Sequence, residues 1–107
     1  VIDGSGATIT TGVKLDLLFG AAMLVTDIYA MADQSGSIDV RHWVDDFAAY
    51  PPDSADNIYT LTMTTQASRH VSGLSLSISA GDVLRVNVQS VTSCQRVSVT
   101  LVGTRAV

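Results

Sequence analysis

The sequence predicts an all-β domain, an antiparallel two-sheet β-sandwich of jelly-roll type. Three observations lead there. All ten acidic residues are Asp and Lys occurs once, at Lys14, so the good helix formers Glu and Lys are nearly missing. Apolar residues alternate with polar ones in several short runs, the period of a half-buried strand. Clusters of Asp, Gly, Ser and Pro separate these runs at the spacing typical of sandwiches and barrels. At 107 residues the chain fits one domain, residues 1–107, large enough to bury a core without disulfides.

Along the chain, residues 1–11 form a Gly/Ser/Thr-rich lead-in, with a turn at Asp3-Gly4-Ser5-Gly6. Val13, Leu15 and Leu17 share one face of a first strand. The apolar run from Ala21 to Ala32 reads as a second strand, although Leu24, Ile28 and Met31 also have helical spacing. A turn is expected over Asp33–Ser37, with Gly36 free to take positive φ. Ile38, Val40, His42 and Val44 then alternate with Asp39, Arg41, Trp43 and Asp45. Pro51-Pro52 stops any ladder, and a single helical turn capped by Asp53 or Ser54 follows. Tyr59–Thr64 is a strand and Gln66–His70 a loop. Leu74, Leu76 and Ile78 alternate with serines, and Ala80-Gly81-Asp82 turns the chain. Leu84, Val86 and Val88, then Val97, Val99 and Leu101, give the clearest alternation and are the expected core.

Several chemistries find no support in the residue pattern. A net charge of −4 with five scattered arginines disfavours nucleic acid, whose binding is driven by phosphate neutralisation. The uncharged run Leu17–Thr26 is half the length of a membrane-spanning helix. The single Cys94 has no partner for an intrachain disulfide and reads as a core thiol. His42 lies in phase with Ile38 and Val40 and is expected to be buried or at a subunit contact. His70, beside Arg69, reads as solvated. Neither has a second His or Cys at metal-ligand spacing, so no metal or cofactor is expected. Asp3, Asp33, Asp53 and Asp56 lie in loops as turn formers and match no EF-hand pattern. Asp45 and Asp46 are adjacent on a strand and point to opposite faces. No Gly-x-Ser-x-Gly elbow occurs, and no catalytic residue is assigned. Because the chain opens on Val1, it reads as processed, trimmed or part of something longer.

The binding candidates are Trp43, Arg41 and Tyr50. Trp43 sits beside Arg41 on the polar face of its strand, and Phe47 and Tyr50 follow. Aromatic side chains beside polar groups grip sugars and proteins. The alternative is that the Pro51-Pro52 loop or a neighbouring subunit covers Trp43.

Three ordered stretches carry a family resemblance: Ala32-Asp33-Gln34-Ser35-Gly36-Ser37-Ile38 running on to Trp43; Ala49-Tyr50-Pro51-Pro52 with Ala55-Asp56; and Ala80-Gly81-Asp82-Val83-Leu84-Arg85-Val86-Asn87-Val88. With the closing Arg96–Leu101 strand, this order resembles small β-sandwich domains of tailed-bacteriophage virion proteins, found in tail fibres and spikes or as head fibres and capsid decorations. The resemblance runs from about Val13 onward. His42 stands where the pattern has Val or Ile, and Leu74 where it often has Trp. The resemblance implies a non-enzymatic virion structural protein, a homo-oligomer and most often a trimer, that assembles with other virion proteins and touches host-surface glycans. The alternative reading is a carbohydrate-binding module of a secreted bacterial protein.

Overall fold

The computed structural model describes residues 1–105. The fold is all-β and antiparallel. Its strands are β1 (Ile2–Asp3), β2 (Gly12–Leu18), β3 (Met23–Asp46), β4 (Asn57–Val71), β5 (Leu76–Ile78), β6 (Asp82–Thr92) and β7 (Arg96–Arg105). Short 3₁₀ turns at Phe47–Ala49 and Ser54–Asp56 lie between β3 and β4.

β3 organises the rest. Its 24 residues would reach roughly 79 Å if straight, at about 3.3 Å per residue. The longest dimension of the molecule is 39 Å, so β3 folds back on itself. Its first half, Met23–Ala32, has β7 on one edge and β5 and the end of β4 on the other. Its second half, Ser37–Asp46, has β6 on one edge and the start of β4 on the other. β2 adds outside β6, and β1 outside β7. The expected two layers are therefore two halves of one bent, nearly closed sheet of seven strands.

The bend has a local cause. β3 pairs with β7 as far as Ala32 and with β6 from Ser37 onward, leaving residues 33–36 outside both ladders. Gly36 lies against the β6–β7 link: a Cβ there would stand 2.5 Å from the Thr92 carbonyl oxygen and 2.9 Å from Cys94 Sγ. Asp33 turns its carboxylate across the corner and accepts from the backbone N–H groups of Gln95 and Arg96, each at 3.0 Å. Those two donors hold its carboxyl below the ordinary value. Thr65 on β4 (φ 49°) and Ser93 after β6 (φ 67°) take left-handed backbone conformations at the same corner.

Four sequence expectations are corrected. Asp33–Ser37 does not separate two strands, because the Asp33 side chain serves the neighbouring strand while the backbone continues. Gln66–His70 is strand, part of β4, whose outward positions are polar and so hide the alternation. Leu74 precedes β5, its N–H donating to the Thr26 carbonyl at 2.9 Å. The lead-in contributes β1, and Ile2 and Ile9 are core residues. Other expectations hold. Gly81 has φ +88°. Ser54–Asp56 is a helical turn capped by Asp53, with the Asp56 carboxylate accepting from the Asp53 N–H in return.

One apolar cluster fills the space between the layers. Ile28 and Val97 from one layer meet Ile38, Val40, Leu61, Met63 and Val88 from the other. Leu84 and Val86 are buried as expected, and Val99 and Leu101 pack against the cluster while half-exposed at its margin. Cys94 is a buried free thiol.

Leu61 is fully buried, so Leu61→Ala should cost about 2–5 kcal/mol in urea unfolding. Val86→Asp places an unpaired charge in the core and should prevent folding. A soluble, cooperatively unfolding Val86→Asp protein would count against this core.

Candidate functional site

Two outward surfaces carry the polar and aromatic side chains of interest. The first covers the layer built on β2, β6 and the second half of β3. There the strand registers align Asp16 on β2 with Arg85 on β6, Arg85 with Trp43 on β3, and Trp43 with Asn57 on β4. Arg41 stands two residues before Trp43 on the same face. It forms a two-pronged pair with Asp39, Nε to Oδ1 at 3.1 Å and Nη2 to Oδ2 at 3.4 Å. The Asp39 carboxylate holds the guanidinium above its ordinary pKa.

Tyr50 reaches this row from the β3–β4 connection. Its hydroxyl donates to Asp16 Oδ2 at 2.7 Å and accepts from Arg85 Nη2 at 2.9 Å. Arg85 also grips Asp16 directly, Nε to Oδ1 at 2.8 Å and Nη2 to Oδ2 at 2.9 Å. The Arg85 hydrogen bonds, helped by the Tyr50 hydroxyl and opposed by desolvation, hold the Asp16 carboxyl below its ordinary range. The same contacts push Arg85 upward, so it stays charged. This is a clasp that pins the connection to the sheet. Pro52 is fully buried, and the Ser54–Asp56 turn packs against β3.

Of the three sequence candidates, Trp43 pairs with Arg85 across the ladder and Tyr50 hydrogen-bonds it, with Arg41 one step along β3. The Trp43 side chain is half-buried, and its indole N–H is enclosed without a hydrogen-bond partner. The Tyr50 hydroxyl is committed to the clasp, while the residue is 48% exposed, its ring centroid 6.2 Å from that of Phe47. Asp16 and Arg85 escaped the sequence reading. They are far apart in the chain, and alternation identifies them only as outward residues.

The second surface covers the layer built on β7 and the first half of β3. Tyr29 lies directly across from His70 on β4 and Thr100 on β7. The Tyr29 and His70 rings are stacked, centroids 4.0 Å apart and planes within 4°. His70 Nε2 is 2.8 Å from Asp27 Oδ2, and Asp27 Oδ1 accepts from the Thr26 hydroxyl at 2.8 Å. These two partners, His70 first, depress the Asp27 carboxyl. A shallow groove of about 550 Å³ runs past Tyr29, Met31, Ser68, Arg69, His70 and Thr100. The loop assignment of Gln66–His70 hid this cluster, since only a strand puts His70 in register with Tyr29.

His42 is 2% exposed, as its phase predicts. Its Nδ1 lies 3.3 Å from the Tyr59 carbonyl oxygen. A carbonyl only accepts, so Nδ1 carries the proton. Burial lowers the pKa of the ring, partly offset by the Tyr59 and Val40 carbonyls. Among the described residues no group of three or more His, Cys, Asp or Glu is placed to hold a metal ion. The chain matches no family model, no curated protein and no solved structure.

The clasp has a testable pH signature. A carboxyl whose folded pKa is depressed stabilises the fold fully above its ordinary value of 3.8, and that contribution fades as pH falls through the folded pKa. Arg85→Ala should cost about 1–2 kcal/mol at neutral pH, the scale of a partly exposed, charge-assisted pair. Asp16→Asn should destabilise at neutral pH, and its penalty should shrink as pH falls below 3.8. Urea unfolding at neutral pH and in that acidic range measures this, and an equal penalty at both would refute an ionic clasp.

Proposed function

We propose that this chain is a non-enzymatic structural domain of a tailed-bacteriophage virion, a fibre, spike or capsid-decoration module. It assembles as a homo-oligomer, a trimer, alongside other virion proteins, and touches glycans on the host surface. The observation that carries the reading is the apolar rim at one end of the sheet. Leu17 and Leu18 of β2 and Phe47 are 50–64% exposed. Leu18 and Phe47 converge there, because Leu18 pairs with Val83, Phe19 N–H donates to the Asp82 carbonyl and Phe47 N–H donates to the Gly81 carbonyl. β2 also offers an unpaired outer edge beside them. Clustered exposed apolar side chains mark subunit contacts.

The ordered sequence pattern supports the phage assignment. The Gly-Ser-Ile run and Trp43 share β3, the Tyr-Pro-Pro stretch is the clasped connection, and Gly81-Asp82 is the turn into β6. A specific observation favours the second reading, a carbohydrate-binding module of a secreted bacterial protein. The aromatic and hydroxyl-bearing surface around Tyr29 is how sugars are held, with or without a virion.

Mass spectrometry of purified virions and inspection of neighbouring genes separate the two. Capsid and tail genes are expected, whereas absence from particles and a setting among secreted hydrolases would transfer the assignment to the carbohydrate module. Light scattering should give a trimer at micromolar concentration, and Leu18→Lys should shift it to monomer. A wild-type chain that is only monomeric would overturn the assembly reading.

A further inference from the structure

We propose that the groove beside Tyr29 is a sugar-binding site, with Tyr29 as the stacking platform and a pyranoside as the ligand. The proposal rests on the glycan-touching part of the function above and gives it a location. Two parallel rings with centroids 4.0 Å apart lie one above the other, nearly along their common normal. Tyr29 and His70 also face each other across the β3–β4 ladder. One face of the Tyr29 ring is therefore taken by His70, and the other turns along the same row toward β7. The residue there is Thr100, an exposed side chain too short to cover a phenol ring. An uncovered aromatic face thus stands over a floor that bears a hydroxyl, in a groove walled by Met31, Ser68 and Arg69.

The platform is ordered before any ligand arrives. Tyr29 is 43% exposed, yet its ring is held by His70, which is held by Asp27, which is held by Thr26. Exposed pairs of this kind add little to stability. Their effect is to remove the cost of immobilising the ring on binding. A pyranose matches the groove because it presents a face of C–H groups to the ring and a rim of hydroxyls to Thr100 and Ser68, whereas the Arg69 guanidinium is engaged by the Thr62 carbonyl. A nucleobase would stack as well, but the net charge of −4 opposes the phosphates that accompany it.

The test follows the Tyr29 and His70 ring protons by NMR while the full chain is titrated with methyl glucopyranosides, galactopyranosides and mannopyranosides in both anomeric forms. The same protein is applied to a glycan array. Saturable shifts of both rings are expected with at least one sugar. Tyr29→Ala should weaken binding about tenfold or more, a loss of about 1.4 kcal/mol. Tyr29→Phe should retain it, Asp27→Asn should give an intermediate loss, and Gln89→Ala should leave it unchanged. Thr100→Leu supplies a second arm that leaves the ring in place and covers its free face, and it should abolish binding. Glycan binding that survives both Tyr29→Ala and Thr100→Leu overturns this site while leaving the adhesive reading intact. A wild-type chain that binds no pyranoside and no arrayed glycan overturns both. A Tyr29→Ala protein that changes only its oligomeric state assigns the face to a second copy of the chain and overturns the proposal.

Discussion

A strand of 24 residues cannot lie straight in a molecule 39 Å long, and the rest of the architecture accommodates that constraint. β3 must satisfy backbone hydrogen bonds on both edges through a bend, because unpaired buried N–H and C=O groups are costly. One edge is met by β4 and β5 in succession, the other by β6 and β7 in succession. Each of these flanking paths has to turn where β3 turns. The corner therefore gathers the conformational exceptions in one place: Gly36 against Cys94, Thr65 and Ser93 with positive φ, and the Asp33 carboxylate capping two N–H groups of the β6–β7 link.

The apolar core follows from that corner. Folding the ribbon brings the inward residues of the two halves of β3, Ile28 and Ala30 on one side and Ile38, Val40 and His42 on the other, into a single interior. The outward residues are left to organise the surfaces. On one layer the Asp16–Arg85–Tyr50 clasp holds the long connection down. On the other, Asp27 and His70 hold an aromatic ring up. Comparable hydrogen-bonding chemistry thus serves closure on one face and presentation on the other.

The late strands were legible in the sequence because Leu84, Val86 and Val88 alternate with the polar Arg85 and Asn87, although Val83 and Asn87 on that second face are buried as well. The capped turn at Asp53 was legible because capping is a local interaction. The continuity of β3 was not, because Asp33-Gln34-Ser35-Gly36-Ser37 has the composition of a hairpin turn. Only the strand on its far side shows that these residues bend a strand instead of ending it. The same limit applies to the surfaces. Alternation placed Trp43 and Arg41 outward, and the Tyr-Pro-Pro motif singled out Tyr50. The partners that decide what those side chains do, Asp16 and Arg85, are brought in by β2 and β6. His70 became recognisable only once its strand was in register with Tyr29.

Sharing β3 between the layers has a consequence for how the molecule opens. In a sandwich of two separate sheets, one sheet can loosen while the other keeps its ladder. Here the strand that would have to loosen in one layer is the central strand of the other, and β4 crosses the corner beside it. Sub-global opening is confined to the margins, β1, β5 and the 47–56 connection. The paired amides of β3 on either side of the corner, in Val25–Ala32 and Ser37–Val44, are expected to form one cooperative unit that exchanges with solvent when the whole domain unfolds.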